Sequence, residues 1–187
     1  MTNGGKQTAI GSHIIQAKGN IYQDCTFTGD SKSGLLELIR KYQDRIANEP
    51  AAGKFIEDLS DFIKPRERRQ IIGLEQKLID GGREDEIDDA EYFKLKFSKK
   101  LVEDELSESV QEIYAHILAY INTVFSLKIK PRIIAGHDRY LIDDAVMEEI
   151  VDPIYREVIH ADIGITAEHV RGMLYYLTGK CHIKWAF

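Results

Sequence analysis

The amino-acid sequence predicts a mainly α-helical protein: a multi-helix bundle of about seven helices with a short N-terminal β-hairpin. From residue 35 onward, apolar residues recur at intervals of three and four, which is the period of an amphipathic helix. Proline and glycine residues interrupt these stripes and leave only short connections between them. Over residues 10–28 the pattern is different, because two short runs rich in Ile, Tyr, Thr and Phe predict strands.

The chain divides into a short N-terminal part and a helical domain. Residues 1–7 are small and polar, so we expect a disordered lead and no signal peptide there. Residues 8–30 are predicted to form a β-hairpin, which acts as an oligomerisation element, and its glycine-containing linker. Residues 31–187 form the predicted helical domain.

The predicted hairpin has apolar side chains on both of its faces. Its strands are residues 10–17 and 21–28, and Lys18-Gly19-Asn20 provide the turn. A lone two-stranded hairpin is marginal in water, so it must pack on the helical domain or pair with strands from other copies. The sequence leaves both alternatives open, and the second predicts a homo-oligomer joined through residues 8–28. The candidate contact residues are Ile14, Ile15, Ile21, Tyr22 and Phe27.

Seven amphipathic stripes follow the linker, and local signals mark several of their ends. Ser107 or Ser109 is expected to cap the fifth helix and Thr166 to cap the seventh. Pro131 is expected to end or kink the fifth helix, and Pro153 to kink the sixth. The predicted helices cover about residues 35–46, 55–63, 65–79, 83–106, 109–131, 140–160 and 166–179.

Composition argues against several classes of function. The chain has 187 residues, 43% of them hydrophobic and 30% charged, with a formal net charge of −6. This acidic balance argues against a general role on nucleic acid or on an anionic membrane surface. No apolar run approaches the roughly 20 residues of a membrane span. The two cysteines lie far apart, as expected for reduced thiols, so we expect a cytoplasmic protein.

Three residue pairs are candidates for catalysis or metal binding, but none of them has the further features that such a site requires. Glu112 and His116 are one helical turn apart, but no second histidine accompanies them. Cys181 and His182 are adjacent in the sequence, and the side chains of adjacent residues point in different directions. A nucleophilic cysteine and its histidine base usually come from separate parts of the chain. The third pair, Asp144 and Glu148, is typical of a solvated helix face. We therefore expect no enzyme, no metal and no cofactor, with a small metal-dependent hydrolase built on Glu112 and His116 as the alternative.

One basic stretch is a candidate for binding nucleic acid. Lys128, Lys130 and Arg132 lie close together, but a nucleic-acid footprint normally extends over a larger surface. Ordinary solvent exposure is the favoured interpretation, and a nucleic-acid-binding accessory factor is kept as a further alternative.

The residues near the C-terminus form a distinctive motif. Residues 172–185 have the sequence GMLYYLTGKCHIKW. This motif resembles the terminal motif of C-terminal domains in the ABC-three-component biological conflict systems of bacteria. Residues 71–78 (IIGLEQKL) with 82–85 (GRED), and residues 116–119 (HILA), are also similar to that group. The resemblance covers about residues 35–187.

The resemblance implies a function that composition alone does not. In such systems an SMC/Rad50-like ATPase acts with a middle component and an effector-bearing component, and the helical domain links the effector to the complex. Residues 1–30 stand here in place of an effector domain, and no catalytic residue carries over. The resemblance therefore implies a non-enzymatic adaptor in defence against phage or plasmids, with the ATPase and middle component as its partners.

The aromatic residues of this motif have two interpretations. Tyr175, Tyr176 and Trp185 are expected either to close the core of the domain or to anchor a protein interface. Gly179 is expected to take the left-handed conformation that ends the last helix.

Overall fold

The computed structural model describes residues 34–45, 55–66, 72–159 and 163–187, which contain seven helices. The fifth and sixth helices each consist of three consecutive segments, the middle one a π-helical turn. The helices are α1 (Gly34–Arg45), α2 (Glu57–Ile63), α3 (Leu74–Asp80), α4 (Ile87–Glu103), α5 (Glu108–Val124, Phe125–Ile129 and Lys130–Ile134), α6 (Arg139–Val146, Met147–Val151 and Asp152–Val158) and α7 (Ala167–Gly179).

The predicted mainly helical architecture of about seven helices is confirmed. The predicted lead, hairpin and linker in residues 1–30 lie outside the described residues. Among the described residues, none of the helices is long and apolar enough to cross a membrane.

Each π-helical turn lies just before a proline. The turn Phe125–Ile129 precedes Pro131, and the turn Met147–Val151 precedes Pro153. Proline lacks a backbone N–H, and its ring clashes with the carbonyl group four residues earlier. The wider π turn relieves that clash, so α5 continues to Ile134 instead of ending at Pro131.

The structure corrects two predicted helix starts and decides between two alternatives for a third. The third helix begins at Leu74 rather than at about Pro65, because Gly73 is extended at its N-cap. The fourth begins at Ile87 after a 3₁₀ turn, Glu84–Glu86, which follows the left-handed Gly82. Ser107, not Ser109, caps the fifth helix by accepting the Val110 N–H at 3.3 Å.

The core is centred on α5, which is buried between the other helices. Ile113, Ile117 and Ile121 of α5 are fully buried. The Phe97 ring of α4 meets Tyr114 of α5 and Tyr176 of α7 edge-on, with ring centroids 5.7 and 5.3 Å apart. Such edge-to-face pairs add to the stabilisation that burial of apolar surface provides.

The helices α4 and α7 pack closely against each other at Gly172. A Cβ atom added to Gly172 would clash with the Phe93 carbonyl oxygen and lie 2.9 Å from the Phe97 Cβ. Only glycine allows the two backbones to approach this closely. The packing holds α4 firmly on one side, while its opposite side faces solvent.

Candidate functional site

Two of the sequence motifs meet in the interior of the helical domain. Residues 72–86, which include α3, and residues 172–185, which include the C-terminal part of α7 and the tail that follows it, form what we call the motif junction. At its centre Gly81 lies against Trp185, because a Cβ atom on Gly81 would be only 2.6 Å from the Trp185 Cβ. The glycine therefore lets the C-terminal tail pack directly on the end of α3.

Arg83 is the main buried charge of the motif junction. Its side chain is only 4% exposed, and the guanidinium carbon lies 4.3 Å from the centroid of the Trp185 ring. Its two terminal nitrogens pair with Glu86 at 2.7 Å and with Asp143 of α6 at 2.6 Å. A buried guanidinium group needs such partners, since an unpaired charge in the interior is strongly unfavourable.

A second arginine extends this network to the surface. Arg139 donates two hydrogen bonds to Asp85, at 2.6 and 2.7 Å, and one to Glu86 at 2.7 Å. The hydrogen bonds from Arg139 lower the pKa of Asp85, and those to Asp85 raise the pKa of Arg139. The start of α6 is thereby joined to the turn before α4.

Tyr175 connects the network to α7. Its hydroxyl group donates to Glu86 at 3.1 Å, and burial raises the pKa of Tyr175 to about 12. Glu86 thus accepts hydrogen bonds from two arginines and one tyrosine. These groups satisfy one another, which is the pattern of a structural ion-pair network.

Lys77 and Cys181 meet at the other end of the motif junction. The buried Lys77 ammonium group donates to the Thr178 carbonyl oxygen and lies 3.2 Å from Cys181 Sγ. The Trp185 indole N–H donates to the Thr178 hydroxyl at 3.2 Å. The tail after α7 is therefore held by polar contacts as well as by apolar packing.

The end of α7 differs from its prediction. Cys181, with φ at 66°, takes the left-handed conformation, whereas Gly179 is the last residue of the helix. The N–H groups of Cys181 and His182 donate to the carbonyl oxygens of Thr178 and Leu177, at 3.1 and 2.9 Å. This is the Schellman pattern, in which glycine is usual and cysteine is rare.

The predicted contact residues lie in two different situations. Tyr175, Tyr176 and Trp185 are only 4–7% exposed and pack within the helical domain. A role for them at an interface stays a prediction. The other five candidates lie outside the described residues: Ile14, Ile15, Ile21, Tyr22 and Phe27.

The candidate catalytic residues are found at separate positions. Glu112 and His116 line an open groove of about 570 Å³ between α2 and α5, where Asp58 and Asp61 also lie. Across the described ranges, no group of three or more histidine, cysteine or carboxylate side chains is placed to hold a metal ion. Cys181 Sγ contacts Lys77, whereas the His182 ring packs against Phe62 with centroids 5.5 Å apart. The third pair, Asp144 and Glu148, is exposed on α6.

The three basic residues considered for nucleic-acid binding lie on the last turns of α5, and each is in a different environment. The Lys130 ammonium group lies 4.8 Å from the centroid of the Phe187 ring, and Arg132 pairs with Glu149 of α6 at 3.4 Å. Lys128 is exposed.

An exposed apolar face on α4 was not predicted from the sequence. Tyr92, Leu95, Val102 and Leu106 are each 53–60% exposed, and we call this group the α4 face. The first three lie on the helix and Leu106 lies in the turn after it. The three-and-four spacing of residues 92, 95, 102 and 106 is visible in the sequence. A second apolar stripe on the opposite side of the same helix supplies its core contacts, so the sequence did not require this one to be exposed.

Among known protein families, residues 73–185 match the one described as C-terminal domain 9 of the ABC-three component (ABC-3C) systems. The match covers well over half of the chain. The chain belongs to this family. No curated protein and no solved structure matches the chain.

This ABC-three-component domain contains both regions described above. The matched residues extend from the start of α3 to the end of the motif junction and include the α4 face, whereas α1 and α2 precede them. The resemblance predicted from the terminal motif is thus confirmed. A component of a three-component system acts together with the other proteins of that system.

Proposed function

We propose that this chain is a non-enzymatic assembly or adaptor component of a bacterial ABC-three-component system that acts in the cytoplasm against phage or plasmids. One observation carries the proposal. The polar groups of the motif junction pair with one another inside the domain, while the apolar side chains of the α4 face are exposed to solvent. The motif residues therefore support the fold, and the surface is available for binding.

The α4 face supports protein–protein contact on physical grounds. Single exposed apolar residues are ordinary on a protein surface, but several grouped along one helix and the turn that follows it are typical of interaction sites. Tyrosine and leucine side chains supply large apolar area, and the tyrosine hydroxyl group can remain hydrated. Because α4 is fixed by its contact with α7, binding would cost little ordering of the backbone.

Self-association through residues 8–28 is a second element of the proposal. The predicted hairpin presents apolar residues on both faces, and pairing with strands of other copies would cover them. The SMC/Rad50-like ATPase and the middle component of the system are the proposed partners of the assembled chain.

The self-association is tested in the full chain by placing charges on the predicted hairpin. Ile14→Asp with Ile21→Asp is expected to lower the molar mass measured by light scattering, because two buried carboxylates would oppose strand pairing. Gln16→Asp with Gln23→Asp adds the same charges at polar positions and is expected to keep the mass. If the first variant keeps the molar mass of the wild type, the predicted hairpin does not mediate self-association.

The adaptor role is tested with the purified ATPase and middle component of the same system. We expect the full chain to bind one of them and to co-elute with it in size-exclusion chromatography. Failure to bind either component, with the chain folded by circular dichroism, would contradict the adaptor role.

A further inference from the structure

We draw no further inference here: the strongest candidate, the open groove between α2 and α5 lined by Asp58, Asp61 and Glu112, carries none, because nothing in the described part of the chain shows what covers it.

Discussion

Replacing Gly172 with alanine tests the close packing of α7 on α4. The added Cβ would clash with the Phe93 carbonyl oxygen and lie 2.9 Å from the Phe97 Cβ. Both atoms belong to the rigid body of α4, so the helices must move apart. Overpacking costs about 1–3 kcal/mol, and alanine returns about 1 kcal/mol through its higher helix propensity. Because the clash involves backbone, we take the upper value and expect a net loss of about 2 kcal/mol.

Urea denaturation measures this change in the free energy of unfolding. Circular dichroism follows the helices, and fluorescence follows Trp185, the single tryptophan of the chain. Gly179→Ala is the matched control in the same helix, since its Cβ would meet Lys94 Cδ at an ordinary 3.7 Å. That variant should equal the wild type or be more stable by up to about 1 kcal/mol. The reasoning is refuted if Gly172→Ala is as stable as this control.

Three further substitutions test the motif junction and the start of α7. Arg83→Lys should cost about 2 kcal/mol in urea denaturation, because one ammonium group cannot pair with two carboxylates and also cover the indole ring. The exposed Arg156→Lys should cost nothing, and equal losses would contradict a buried network. Cys181→Gly should be more stable than Cys181→Ala by about 1 kcal/mol, since only glycine relieves the left-handed backbone; equal stability would exclude that conformation. Burial lowers the pKa of His169, which caps α7 through a neutral ring nitrogen, so the melting temperature should fall as pH drops below the unfolded-state pKa of about 6.5. His169→Gln keeps a capping acceptor that does not titrate, so parallel melting curves for the two proteins between pH 7.5 and 5.5 would contradict this assignment.

The helices were largely predictable because their signals are local. The fifth helix is predicted over about residues 109–131, and the apolar residues that recur along it from Val110 form the buried side of the observed α5. Thr166 caps α7 as expected, by accepting the His169 N–H at 3.4 Å. A cap requires only residues within one turn of each other, so its chemistry is visible in the sequence.

The positions of the charged side chains were not predictable in the same way. Lys77 and Arg83 lie in predicted helices, but nothing in the apolar spacing of those helices indicates that both side chains are buried. Arg83 is stabilised by Asp143 and by Trp185, which lie far from it in the sequence. The family resemblance marked these stretches as distinctive but did not indicate that they meet.

By itself, the amino-acid sequence determined the helical class, the order of the helices and the family of the domain. These depend on apolar spacing, caps and a motif, all of which are read within a few residues. Only the tertiary structure decided that the motif residues lie in the interior and that one side of α4 stays exposed. Burial of a charge such as Arg83 depends on partners brought together by folding, and exposure of an apolar residue such as Leu95 depends on which helix face finds a neighbour.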